Sequence, residues 1–146
     1  AIGAARWLGT LAGKCAQTPH PTGMILVDTS VWIDHLRQGD RELMTLLNGG
    51  QVLTHRFVIG ELSLGNLQNR TTFISTLQNL AHVNVATDEE VMHFIERHAL
   101  HGKGIGFVDA HLLAALHLTP GTLLWTRDKR LQVESNRLGL SINQTH

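Results

Sequence analysis

The chain has 146 residues, 42% of them hydrophobic, which suits one folded domain and excludes a disordered chain. No apolar run approaches the roughly 20 residues of a membrane-spanning helix, and the single cysteine, Cys15, excludes an internal disulfide framework and favours a reducing, cytoplasmic setting. The formal net charge is zero, so the sequence lacks the basic character typical of nucleic-acid-binding proteins.

Residues 1–23 differ in character from the rest of the chain, being rich in Gly and Ala and holding two of the three prolines. We interpret them as a tag, an upstream stretch or an accessory segment, with the native start at Met24 and the domain over 24–146. A secretory signal is disfavoured because Arg6 interrupts the apolar part. Arg6 and Lys14 are the only charged residues of this segment, so 10 basic and 12 acidic groups follow it, a net of −2.

An alternation of strand and helix signals begins at Met24. The apolar run 25–27 predicts a strand buried on both faces, as in a parallel sheet. Further strands are predicted at 52–54, 83–85 and 122–126, with a candidate edge strand at 140–142. The helical patterns between them cover about 30–37, 41–48, 57–67, 70–80, 88–99, 107–118 and 128–138.

Strands that alternate with helices predict right-handed crossovers and an α/β fold. We expect a central, mostly parallel sheet of four to five strands flanked by helices. Ligands of such sheets bind beyond the carboxyl ends of the strands, at a topological switch point. Asp28 and Asp128 both follow predicted strands and therefore lie at that edge.

Four acidic residues form the candidate site, namely Asp28, Glu61, Asp109 and Asp128. Each also fits a structural role when taken alone, since Asp28 and Asp128 suit helix N-caps and Asp109 suits the first turn of a helix. Glu61, however, lies in an otherwise apolar helical segment, and Asp109 shares a face with leucines. Like charges brought together repel one another unless a cation holds them. Their joint placement predicts an acidic metal pocket.

The chemistry of this set favours magnesium. Mg²⁺ takes oxygen ligands and needs only one or two protein carboxylates directly. One or two such ions support phosphodiester hydrolysis by activating a water and neutralising phosphate charge. The ten histidines are scattered, and neither an HExxH motif nor paired Cys/His spacing is present, which argues against zinc.

Four phrases carry a resemblance to a known family: MILVDTSVWID, VIGELSLG, FVDAHLLAA and LLWTRDKRL. From Met24 onward the chain resembles the PIN-domain ribonucleases, most closely the VapC-type toxins of bacterial toxin–antitoxin pairs. The phrases occur in the family's order and cover nearly all of residues 24–146. The resemblance implies a Rossmann-like, three-layer PIN fold and a Mg²⁺- or Mn²⁺-dependent endoribonuclease. It also implies a homodimer and a cognate antitoxin.

The resemblance also implies roles for individual residues. Asp28, Glu61 and Asp109 match the three core acids of the family, and Asp128 matches the more variable fourth, so that all four are candidate catalytic and metal-binding residues. The hydroxyls of Ser30 and Thr126 match positions that support the acids. Asp109 or Asp128 would orient the attacking water, and no side chain serves as a covalent nucleophile.

Other readings of the sequence remain open. The basic residues near the acids, Lys103, Arg127 and Lys129, are candidate RNA contacts, or else solvated surface charge. A PIN-like binding module with little nuclease activity is one alternative function. Another is a different Mg²⁺-dependent phosphohydrolase. The haloacid-dehalogenase type is disfavoured because it has a second Asp where this chain has Ser30.

Overall fold

A computed structural model describes residues 23–142 of the chain. Within that range, four parallel strands form one sheet in the order β3-β2-β1-β4. The strands are β1 (Met24–Val27), β2 (Val52–Thr54), β3 (Ala81–His82) and β4 (Thr122–Trp125). The central strand β1 has neighbours on both sides, because Leu26 is in register with Leu53 of β2 and Leu124 of β4.

Helices connect the strands and cover the sheet. They are α1 (Thr29–Gln38), α2 (Arg41–Asn48), α3 (Arg56–Ser63), α4 (Arg70–Gln78), α5 (Asp88–Arg97), α6 (Phe107–His117) and α7 (Lys129–Arg137). The predicted three-layer α/β architecture with a parallel sheet is confirmed. None of the helices in residues 23–142 is long and apolar enough to cross a lipid bilayer.

The core lies between the sheet and its helices. Leu26 and Leu124 are completely buried in the sheet, as expected of parallel strands covered on both faces. Trp32 of α1 is also completely buried and meets Phe73 of α4 edge to face, with ring centroids 5.9 Å apart. Residues 110–116 of α6 are all buried, which makes α6 the central helix of the domain. Asp109 directly precedes this buried stretch, so its position is fixed by the core.

Two predicted strands and one helix end differ from the structure. The third strand is Ala81–His82 and not 83–85, because the chain leaves β2 after the Val83 amide bonds the Thr54 carbonyl oxygen at 3.0 Å. Residues 140–142 run beside β4 through a single bridge, Leu124 to Ser141, and form no full strand. Helix α3 ends at Ser63, four residues short of the predicted end. Apart from Gly23, the predicted accessory segment lies outside the described residues.

A pair of buried histidines joins the two helices that carry Glu61 and Asp109. His55 caps α3, its Nδ1 accepting a hydrogen bond of 2.9 Å from the Phe57 amide, and its ring centroid lies 6.4 Å from that of His111 in α6. Burial, followed by the nearby charges of His111 and two other basic residues, lowers the pKa of His55 to about 4. His55 is therefore neutral in the folded protein at neutral pH.

We expect the neutral state of His55 to make the fold sensitive to acid. Its pKa rises from about 4 to about 6.5 on unfolding, so the unfolded state binds more protons between these values. The contribution of neutral His55 to the free energy of unfolding is complete above about pH 6.5 and is lost as the pH falls to about 4. The loss is on the order of 3 kcal/mol. Urea unfolding at pH 7 and pH 4.5 measures it.

The His55→Asn variant separates this effect from general acid denaturation. Asn retains a side-chain acceptor for the α3 N-terminus but does not titrate. We expect a weaker loss of stability between pH 7 and pH 4.5 in this variant. A loss as steep as in the unaltered protein would contradict the assignment.

Candidate active site

Asp28 is the most buried of the four predicted acids, with 7% of its surface exposed. Because Val27 pairs with Trp125, Asp28 and Thr126 leave the sheet side by side. Asp28 Oδ2 accepts hydrogen bonds of 2.8 Å from both Ser30 Oγ and Thr126 Oγ1, and a longer one of 3.4 Å from the Ser30 amide. The hydroxyls of Ser30 and Thr126 thus hold Asp28 at the carboxyl end of β1.

Thr126 also connects Asp28 to Asp128. Its Oγ1 accepts a hydrogen bond of 3.0 Å from the Asp128 amide while donating to Asp28. Asp128 is exposed and caps α7, its Oδ1 accepting from the Leu131 amide at 3.0 Å. Asp28 likewise caps α1. The capping roles that the sequence offered as alternatives are therefore real, and each occupies one carboxylate oxygen.

Glu61 and Asp109 reach the same edge from α3 and α6. Glu61 is exposed, and its Oε1 accepts a hydrogen bond of 3.0 Å from Thr29 Oγ1, next to Asp28 in sequence. Asp109 is half-buried in the first turn of α6, where its Oδ2 accepts from the Gly106 amide at 3.1 Å. The side chains of Glu61 and Asp109 are thus each anchored by one donor.

The charges of the other three acids act on Asp109. Burial raises the pKa of Asp109, and although the Gly106 amide opposes this rise, the charges of Asp28, Asp128 and Glu61 add to it. A carboxyl whose pKa is raised by three other carboxylates lies within their electrostatic reach. The structure therefore brings together acids that are scattered across a hundred positions of sequence.

Each carboxylate is held by only one of its oxygens. Within residues 23–142, the protein's hydrogen bonds fall on Oδ2 of Asp28, Oε1 of Glu61, Oδ2 of Asp109 and Oδ1 of Asp128. The second oxygen of each receives no hydrogen bond from this part of the chain. Those oxygens remain available as ligands.

The donor set fits a hard divalent cation, because it offers oxygen atoms and neither imidazole nor thiolate. In the described part of the chain, no three His, Cys, Asp or Glu side chains already form a group that could hold a metal ion. Magnesium does not need such an enclosure, since it keeps several waters and binds one or two protein carboxylates directly. One or two of the four acids would suffice as direct ligands.

The three basic residues predicted to contact RNA fall into two groups. Lys103 and Lys129 are exposed. Their sequence neighbours Gly104 and Arg130 are in contact, because Arg130 Nη1 lies 3.5 Å from the Gly104 carbonyl oxygen. A side chain at Gly104, where φ is +79°, would collide with Arg130. Arg127 differs, because its guanidinium pairs with carboxylates of the protein itself.

Some contacts at the site were not predicted. Thr29 orients Glu61; its place beside Asp28 in the phrase DTS was the only available signal. Asp34 and Asp40 bind Arg127 from 93 and 87 positions away, and no local pattern indicates this.

The parallel sheet, with acids gathered beyond its carboxyl edge, defines an α/β domain of the PIN class. The sequence matches the PIN domain family over residues 25–133, a range that contains all four acids. Ribonuclease VapC32 of Mycobacterium tuberculosis, in strains CDC 1551 and H37Rv, is 44% identical over 119 residues, which are 82% of this chain and 96% of the relative. The chain belongs to the PIN-domain family, and within it to the VapC-type ribonucleases.

Proposed function

We propose that this protein is a divalent-metal-dependent endoribonuclease that hydrolyses RNA phosphodiester bonds and acts as the toxin of a toxin–antitoxin pair. The similarity to a protein named ribonuclease VapC32 supports the activity. The observation that carries the metal dependence is a set of four acids that each keep one carboxylate oxygen without a protein donor, and the raised pKa of Asp109 agrees with it. A cation relieves that repulsion.

Asp28, Glu61, Asp109 and Asp128 would hold Mg²⁺ or Mn²⁺. When bound, the ion supplies positive charge for the phosphate oxygens and lowers the pKa of a coordinated water. Ser30 and Thr126 keep Asp28 in place for this purpose, and Thr29 does the same for Glu61.

Asp109 is the best candidate to accept a proton from the attacking water. It is half-buried in the first turn of α6, and only its Oδ2 accepts a hydrogen bond, from the Gly106 amide, so that the other oxygen is left for the water. Lys103 and Lys129 would contact RNA phosphates from the exposed rim of the site. These contacts offset the slight negative charge of the domain.

The proposed assembly is a cytoplasmic homodimer that binds a cognate antitoxin. A partly apolar surface supports a protein partner: Leu64 is 89% exposed, beside a groove of about 390 Å³ whose lining includes Ile33, Leu36 and Leu67 together with Arg37, Asn66 and Gln68. Phe73 of α4 is completely buried and belongs to the core, not to this surface.

The two candidate functions, nuclease and RNA-binding module, differ in whether the protein cleaves the RNA that it binds. The purified protein, incubated with total RNA, should cleave it in Mg²⁺ or Mn²⁺ and leave it intact in EDTA. Sequencing the new RNA ends would identify the cleavage site. RNA that is bound but never cut, with either metal, would overturn the nuclease and favour the binding module.

Metal binding should also be visible as a gain in stability. A ligand that binds only the folded state at ten times its dissociation constant stabilises it by about 1.4 kcal/mol, which raises the Tm of a domain of this size by a few degrees. We expect Mg²⁺ to raise the Tm of the unaltered protein but not that of an Asp28→Asn variant. Equal shifts in both proteins would place the ion elsewhere.

A further inference from the structure

Arg127 lies between two residues of the site, Thr126 and Asp128, yet its side chain turns to other elements. Nη1 donates to Asp34 Oδ2 of α1 at 2.6 Å, and Nη2 donates to Asp40 Oδ2 at the start of α2. The guanidinium carbon lies 5.6 Å from the ring centroid of Trp125. Two helices and an aromatic ring therefore hold this one side chain.

The backbone around Arg127 makes the contacts that complete the site. Its amide donates to Ser30 Oγ at 3.0 Å, and the preceding Thr126 hydroxyl donates to Asp28. The Asp128 amide donates in turn to Thr126 Oγ1. The segment 126–128 therefore contacts α1 through its backbone and hydroxyl on one side and through the Arg127 guanidinium on the other.

The surroundings of Arg127 are unsuited to an RNA phosphate. Asp34 and Asp40 together carry one more negative charge than Arg127 neutralises, so a phosphate approaching the guanidinium also meets two carboxylates. Asp40 is additionally fixed in place, because its Oδ1 caps α2 through the Leu43 amide at 3.0 Å. The cluster is thus already satisfied within the protein.

A single exposed ion pair would contribute little to holding a loop. Here one planar guanidinium engages two carboxylates from different helices, a geometry that lysine does not reproduce. The side chain of Asp40 is only 16% exposed, so solvent screens its pair with Arg127 less than at an open surface, whereas Asp34 and Arg127 are each 36% exposed. Without the positive charge of the Arg127 guanidinium, Asp34 and Asp40 would repel each other beside the 126–128 segment.

We propose that Arg127 is a positioning residue that, bound by Asp34 and Asp40, fixes the 126–128 segment so that Thr126 and Asp128 stand beside Asp28. This rests on the proposed nuclease function, because the geometry being fixed is that of the acid site. Arg127 acts through its neighbours and makes no direct contact with RNA.

Steady-state cleavage of a short fluorogenic oligoribonucleotide at saturating Mg²⁺ separates positioning from RNA binding. We expect Arg127→Gln to lower kcat at least 10-fold with KM changed less than 2-fold, and Arg127→Lys to restore little of it. Asp34→Ala should also lower kcat, and the double variant should be no worse than Arg127→Gln alone, because both changes break one unit. Arg97→Gln, at an exposed position of α5, is the matched control.

An RNA contact would give the opposite pattern. Arg127→Gln would then raise KM, Lys would replace Arg well, and Asp34→Ala would lower KM by removing a repelling charge. That set of results would overturn the proposal.

A second readout does not depend on cleavage. Amide hydrogen exchange, measured by NMR on the metal-free protein, should be at least 10-fold faster at Arg127 and Asp128 in the Asp34→Ala variant, with the β1 amide of Leu26 unchanged. If the unaltered protein cleaves no RNA, the proposed function fails, yet faster exchange in the variant still supports the positioning role of Arg127. Unchanged exchange at Arg127 and Asp128 would overturn the positioning role of Arg127 even if the protein is an active nuclease.

Discussion

Replacing Asp28 by Asn is expected to lower kcat/KM for RNA cleavage by roughly 10²–10³-fold, the scale seen when one group that stabilises transition-state charge is removed. The carboxamide keeps an oxygen that can accept from Ser30 or Thr126, so the fold should be retained. What it loses is one negative charge of the acid cluster and, on the proposed function, affinity for a divalent cation. Single-turnover cleavage at several Mg²⁺ concentrations measures the loss.

The matched control for Asp28→Asn is Glu96→Gln, which removes one negative charge from an exposed position of α5 outside the site. Its activity should stay within twofold of the unaltered protein. If raising Mg²⁺ restored full activity to the Asp28 variant, Asp28 would serve only to bind the metal. If cleavage persisted in both variants, the assignment of the site would be wrong.

The Asp109→Asn variant should be inactive and yet more stable than the unaltered protein. The folded-state pKa of Asp109 lies above its unfolded value, so the folded state binds more protons and stability falls as the pH rises between the two values. Above the folded-state pKa, the ionised Asp109 carboxylate lowers the free energy of unfolding by its full amount. Replacing it by a neutral amide removes this loss at neutral pH. We expect a gain on the order of 1 kcal/mol, typical of a stabilising substitution, in metal-free protein.

Urea unfolding in EDTA at pH 7 and near pH 3 provides the measurement for Asp109. The gain should be present at pH 7 and should disappear near pH 3, where the side chain is protonated in both states. The amide of Gly106 keeps an acceptor in the variant, so loss of that bond does not mask the result. A variant less stable than the unaltered protein at pH 7 would show that the hydrogen bond outweighs the repulsion.

The sequence was sufficient to predict the sheet and the acids on it because the signals there are local. The run 25–27 is apolar throughout, and such a strand is buried on both faces whatever follows it. Asp28 comes directly after that strand, so its place at the sheet edge follows from the chain itself. Asp128 is placed by β4 in the same way.

The sequence was insufficient where contacts between distant parts of the chain determine the structure. The apolar residues Val83 and Val85 suggested a strand, but pairing with β2 selects Ala81 and His82, and only Val83 of the two valines is buried. Arg127 is predicted to contact RNA because it is basic and adjacent to an acid, and its ion pairs with Asp34 and Asp40 were not predicted. Its actual partners are about 90 positions away, and only the folded chain brings them near.

The pairing of β1 with β4 has a consequence for when this protein acquires activity. Asp28 and Thr126 are 98 positions apart, yet the threonine hydroxyl helps Ser30 to hold the aspartate, and Asp128 follows two residues after Thr126. A chain emerging from the ribosome from its N-terminus therefore displays Asp28, Glu61 and Asp109 before the last strand exists to join them. On the proposed function, a chain made in this order cannot assemble the acid site until β4 has been synthesised, and a truncation that removes residues 122–146 should yield protein that does not cleave RNA.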